Sequence, residues 1–154
     1  MIREGYILNC TFFGHKDAPY GIKSKLRNII VNLIKNKNVD CFYIGNHGNF
    51  DYMAYDILKE LFNIYNISYK VVLAYIPLKK GEFDVIDHSY TVIPEGIERV
   101  PKRLAIVYRN KFMIDNSDFV ITYITRNAFS GAAKFKDCAI KKGKTIIELS
   151  SYGK

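Results

Sequence analysis

Short apolar runs alternate with segments of helical period along almost the whole chain, and this constrains the fold more than any other feature. Val39-Asp-Cys-Phe-Tyr-Ile44, the run from Tyr69 to Ile76, Asp118-Phe-Val-Ile-Thr-Tyr-Ile124 and Lys144-Thr-Ile-Ile-Glu-Leu149 are brief and rich in β-branched and aromatic residues. An opening run of the same kind, from Tyr6 to Phe13, stops at Gly14. Between the runs, apolar residues recur at Ile22, Leu26, Ile29, Ile30, Leu33 and Ile34, and again at Met53, Ala54, Ile57, Leu58, Leu61 and Phe62, with polar residues between them. That is the spacing of amphipathic helices over Tyr20 to Lys37 and Asp51 to Tyr65. Lys102 to Asn116 and Ser130 to Lys142 also read as helices, the second ended by Gly143. Strands that are apolar on both faces need cover on both faces. The pattern therefore predicts an α/β Rossmann-like three-layer sandwich with a mostly parallel central sheet.

Leu78 to Pro101 has no clean period and reads as an irregular excursion over the sheet, punctuated by Gly81, Pro94 and Gly96. A length of 154 residues predicts a single domain over 1–154. No apolar run approaches the roughly 20 residues of a bilayer span. The opening Met1-Ile-Arg-Glu lacks a signal peptide's apolar stretch, so the expectation is a cytoplasmic protein without a membrane partner. Cys10, Cys41 and Cys138 are scattered and form no CxxC pair, which favours reduced thiols over zinc. The net charge of +8 favours polyanionic partners, although Lys, Asn, Ile and Tyr are abundant throughout the chain.

In parallel sheets, ligands bind beyond the carboxyl ends of the strands. The loops there are Gly14-His-Lys-Asp17, Gly45-Asn-His-Gly-Asn-Phe-Asp51, Pro77-Leu-Lys-Lys80 and Thr125 to Gly131, so glycines and basic residues gather at one sheet edge. Gly45 and Gly48 bracket a tight turn, with Asp51 either capping the next helix or accepting ribose hydroxyls. Ser130-Gly131 opens a helix whose dipole suits a phosphate, with Lys134 one turn on; the plain alternative is an N-cap and a surface lysine. His15 and His47 follow the first two strands and suit hydrogen bonding or acid–base work; no third ligand marks a metal. Arg109 either aims a bidentate guanidinium into the cleft or pairs with Asp115 or Asp118. Tyr75 and Phe129 either stack on a base or belong to the core. There is no GxxxxGK[ST] and no GxGxxG.

Thr11-Phe-Phe-Gly-His-Lys-Asp17, Phe42-Tyr-Ile-Gly-Asn-His-Gly-Asn-Phe-Asp51, Val72-Leu-Ala-Tyr75, Tyr108-Arg-Asn-Lys-Phe-Met-Ile-Asp115 and Ser130-Gly-Ala-Ala-Lys-Phe135 follow one another along the chain. Together, in this order, they resemble a small bacterial family similar to the YpsA-like branch of the SLOG superfamily. The superfamily includes the "lonely guy" phosphoribohydrolases, the DNA-processing protein of natural transformation, and nucleotide-sensing domains of antiviral defence. The resemblance implies a Rossmann-like fold, a nucleotide or nucleotide-sugar in the cleft, and a homo-oligomer, dimeric or tetrameric. Arg109 matches the phosphoribohydrolases' helix-starting Arg, and Ser130-Gly131 their phosphate-facing turn, while Lys134 stands at their catalytic Glu. A lysine there suits anion binding better than glycosidic cleavage.

The candidate ligand-binding set is Gly14, His15, Lys16, Asp17, Gly45, Asn46, His47, Gly48, Asn49, Asp51, Tyr75, Arg109, Asn110, Phe129, Ser130, Gly131 and Lys134. No catalytic residue, metal ligand or cofactor is assigned. The expected function is binding of a phosphorylated nucleotide or a nucleotide-derived signal, such as a cyclic ADP-ribose, as a sensor or sequestering protein. The alternatives are a nucleotide N-glycosidase and, third, single-stranded nucleic-acid binding. The placement of most aromatics in core positions argues against a nucleic acid.

Overall fold

The computed structural model describes residues 7–75, 90–125 and 131–151. Six strands form one sheet in which every pair is parallel: β1 (Leu8–Gly14), β2 (Val39–Ile44), β3 (Ser68–Val72), β4 (Thr91–Val92), β5 (Phe119–Tyr123) and β6 (Thr145–Glu148). Their spatial order is β4-β3-β2-β1-β5-β6. Among the described residues, four α-helices accompany the strands: α1 (Lys23–Asn36), α2 (Asn49–Phe62), α3 (Lys102–Asp115) and α4 (Gly131–Lys141).

The apolar stripes decide which face each helix covers. Leu26, Ile29, Ile30 and Leu33 of α1 and Met53, Ile57, Leu58 and Leu61 of α2 pack with Phe12, Phe42 and Ile44 on one side of the sheet. Met113 and Ile114 of α3 and Ala139 of α4 pack with Phe13, Val72 and Val120 on the other. The result is a Rossmann-like three-layer α/β sandwich. Phe12 and Phe13, adjacent on a pleated strand, are divided between the two cores.

Strand order reverses at β1. The chain builds outward through β2, β3 and β4, then returns to lay β5 on the other side of β1, in register from Cys10↔Phe119 to Gly14↔Tyr123. Loops leaving β1 and β5 must therefore part in opposite directions, which opens a crevice beyond the carboxyl ends of these strands.

Three local readings are corrected. The third strand ends at Val72 rather than Ile76, because its edge neighbour β4 offers only Thr91 and Val92, opposite Val71 and Val72. That two-residue strand, inside the stretch expected to be irregular, is too short to carry a period. Helix α2 begins at Asn49 with Gly48 as N-cap, so Asp51 lies in its first turn and is not the cap. Helix α4, by contrast, is ended by Gly143 as expected, in a Schellman motif: Lys144 N–H donates to Ala139 O (3.1 Å) and Gly143 N–H to Ile140 O (3.0 Å), with Gly143 at φ 75°.

All three cysteines are free; burial raises the Cys10 thiol pKa. Among the described residues no helix is long and apolar enough to cross a membrane, and no group of three or more His, Cys, Asp or Glu could hold a metal ion.

Candidate functional site

A cleft of about 620 Å³ lies at the strand-order reversal. The β1 loop contributes Gly14 to Asp17, and the β2 loop and α2 contribute His47 and Asp51. Helix α3 contributes Ile106, Arg109, Asn110 and Met113, and α4 contributes Gly131, Ala132 and Phe135 over a floor of Phe12 and Phe13.

The two loops are tied to each other before any ligand arrives. Asn49 N–H donates to Lys16 O (2.8 Å), and Asn49 Nδ2 donates to Ala18 O (3.2 Å). Gly48 makes this approach possible. Its φ is 95°, and a Cβ there would sit 2.5 Å from Lys16 Cα. Gly45 is pressed in the same way, since a Cβ would lie 2.7 Å from Asp51 Oδ2 and 3.1 Å from the Arg109 guanidinium. These glycines let parts of the protein close on one another, not backbone on ligand. Gly131, with nothing within 4 Å of its Cβ position, is the lining glycine that faces open space.

Arg109 is the centre of the site. It is 4% exposed. Its Nε donates to Asn110 Oδ1 (3.0 Å) and its Nη1 to Asn46 Oδ1 (3.0 Å). The ion pairs the sequence left open are not made: Asp115 pairs with Lys142, and Asp118 accepts the Asn9 N–H. Nη2 makes no hydrogen bond among the described residues, yet it is not sealed off, so it opens to the cleft. Burial lowers the Arg109 pKa, with nearby Asp51 and Tyr75 acting in the other direction. The group nevertheless keeps its charge at any physiological pH.

Asp51 faces the cleft but is crowded by protein on its other sides. That desolvation raises its carboxyl to about 6, against the opposing influence of Arg109 and of the His47 N–H, which donates to Oδ2 at 3.0 Å. His15, 9% exposed, accepts the Thr125 N–H at Nε2 (3.2 Å), so its ring joins the β1 and β5 loops.

Outside the cleft lining, Glu148 holds the start of the β5–α4 connection. It accepts from Thr122 Oγ1 (2.8 Å), Ile124 N–H (3.0 Å), Lys136 Nζ (2.9 Å), Ser150 N–H (3.0 Å) and Ser150 Oγ (2.7 Å). Burial alone would raise this carboxyl, but the hydrogen bonds from Ser150, Lys136 and Ile124 outweigh it and bring the pKa to about 2.

Of the candidates, Gly14, His15, Lys16, Asp17, His47, Asp51, Arg109, Asn110 and Gly131 line one cleft. Gly45 and Asn46 support Arg109, and Gly48 and Asn49 dock the two loops. Tyr75 lies outside the lining, 46% exposed, with Lys102 Nζ 5.1 Å from its ring centroid. Lys134 is an exposed residue outside the lining, so α4 turns Ala132 and Phe135 to the cleft instead. Phe129 and Ser130 lie outside the described residues.

The apolar wall was missed, although its signal was present. Ile106, Arg109, Asn110 and Met113 follow i, i+3, i+4, i+7 spacing and so share one side of α3. That side buries an arginine and an asparagine beside Met113, while Ile106 at its N-terminal end stays exposed like Leu104, Val107 and Tyr108. No family model matches the chain, and no match was found among curated proteins.

Proposed function

We propose that this cleft binds a phosphorylated nucleotide or a nucleotide-derived signalling molecule, such as a cyclic ADP-ribose or another NAD derivative, and that the protein acts as its sensor or sequestering receptor. The observation that carries the reading is Arg109, a buried cation held by two asparagines with Nη2 left open to the cleft. Removing an arginine from water is costly unless a counter-ion compensates. Asp51, the nearby carboxylate, accepts the His47 N–H at Oδ2 and makes no direct salt bridge to Arg109 among the described residues. Helix α4 begins at the cleft, so the positive end of its dipole adds to the same field, and Lys16 stands at the rim. An anionic phosphate meets these demands together. The resemblance to SLOG proteins agrees with a nucleotide carrying that phosphate, and the free thiols suit a reducing cytoplasm.

Native mass spectrometry of freshly purified protein, followed by calorimetry with a panel of nucleotides, cyclic dinucleotides and ADP-ribose derivatives, tests the reading. A nucleotide mass or saturable heat is expected; a ligand-free spectrum with no heat from any member of the panel rejects it.

A second reading, N-glycosidic cleavage of a nucleotide, is favoured by Asp51. A cleft carboxyl raised to about 6 is suited to general acid–base work at neutral pH. Chromatography of nucleoside monophosphates and NAD incubated with the protein decides it: released base supports cleavage, and intact substrate leaves binding alone.

A further inference from the structure

We propose that Asn110 determines ligand specificity by reading a hydrogen-bond acceptor on a flat ring laid against Ile106, Met113 and Phe135. This rests on the anion-binding reading above and extends it to the other end of the ligand.

The amide's orientation follows from chemistry. A guanidinium has donors only, so the 3.0 Å contact from Arg109 Nε fixes the near end of the Asn110 side chain as oxygen. The Nδ2 end therefore turns away from Arg109. Asn110 is 6% exposed and lines the cleft. Its Nδ2 makes no hydrogen bond among the described residues and is not sealed in, so its two N–H groups are presented to the cleft.

The surroundings define what can meet them. Ile106 and Met113 flank Asn110 along α3, and Phe135 stands opposite on α4. Phe13 stacks on Phe135 with ring centroids 5.5 Å apart and 21° between planes, which supports the wall from beneath. Such walls favour a flat apolar body, while the amide favours a carbonyl oxygen or an unprotonated ring nitrogen at its edge. The ligand class is thus a sugar phosphate bearing a heteroaromatic ring, with phosphate at Arg109 and an acceptor edge at Asn110. A site that offers a buried donor discriminates strongly against a ligand lacking the acceptor, because the donor is then left unmet.

The test is calorimetry with ribose 5-phosphate and with AMP, GMP, CMP and UMP. The readout is the affinity ratio of the tightest nucleotide to ribose 5-phosphate. Changes at the phosphate end affect both probes and cancel. The wild type is expected to favour one nucleotide at least about tenfold, and Asn110→Ala to remove about tenfold from that ratio. Phe135→Leu keeps an apolar residue and is expected to lower the ratio a few-fold, which preserves the test if Asn110→Ala does not fold. A ratio unchanged in the folded variants, or ribose 5-phosphate binding as tightly as every nucleotide, overturns this inference alone. Absence of binding by all five probes overturns this inference, and the anion-binding reading falls with it only when the wider panel of cyclic dinucleotides and ADP-ribose derivatives gives no heat either.

Discussion

Asp51→Asn is predicted to stabilise the protein at alkaline pH and to do nothing at acid pH. Crowding raises the native carboxyl from an ordinary 3.8 to about 6, so the folded state holds this proton more tightly than the unfolded state. A raised carboxyl contributes its full stability below pH 3.8 and loses it as pH climbs through about 6. Two units correspond to about 3 kcal/mol, so by pH 8 the ionised group costs the fold about that much relative to its neutral form. Asparagine copies the neutral form, and its amide oxygen can still accept the His47 N–H. For a domain of this size, about 3 kcal/mol corresponds to roughly 6–12 °C in Tm. Thermal melts of both proteins from pH 4 to pH 8 provide the assay. The curves are expected to coincide near pH 4 and to separate between pH 4 and 7, with the variant higher. A variant no more stable at pH 8, or a gap already complete at pH 4, would refute the desolvation argument.

Further predictions concern the scaffold of the site. Glu148→Gln removes a charge held by five hydrogen bonds and is expected to cost about 1–3 kcal/mol at pH 7 by urea unfolding. Because this carboxyl is depressed to about 2, the wild type should keep that advantage above pH 4.5 and lose it as pH falls towards 2; a pH-independent difference would contradict the clamp. Gly48→Ala and Gly143→Ala both place a side chain at positive φ, but only Gly48 meets backbone, at 2.5 Å, whereas Gly143 has open space. Denaturant melts should therefore show about 1 kcal/mol lost at Gly143 and clearly more at Gly48; equal losses would mean that loop docking contributes nothing. Arg109→Gln should abolish binding of ribose 5-phosphate in calorimetry, and retained affinity would place the anion elsewhere.

The layered fold was readable because strands covered on both faces leave near-continuous apolar runs, and α1 and α2 place a clean stripe against the sheet. Position 51 and its loop could be placed by the same logic, since a glycine turn after β2 must sit at the sheet's carboxyl edge. Strand β4 was not readable, for two residues hold no period and its existence depends on the edge that Val71 and Val72 offer. Gly45 stands among the candidate ligand contacts because the sequence cannot say whether a glycine's close neighbour is a ligand or, as found, Asp51 and Arg109. Position one turn into a helix brings Lys134 near a phosphate on paper, but rotation about α4 turns Phe135 inward instead; Tyr75, a stacking candidate or core residue by type, lies outside the lining with Lys102 over its ring. Asn110 was legible as a residue type but not as an oriented donor, because that orientation exists only through the contact with Arg109.

Crystals of the protein soaked with ADP-ribose offer the most direct measurement of the central claim. The account predicts a phosphate within hydrogen-bond distance of Arg109 Nη2, beside the first turn of α4, with the ring towards Phe135. ADP-ribose density lying elsewhere, with this cleft holding only solvent, would contradict it.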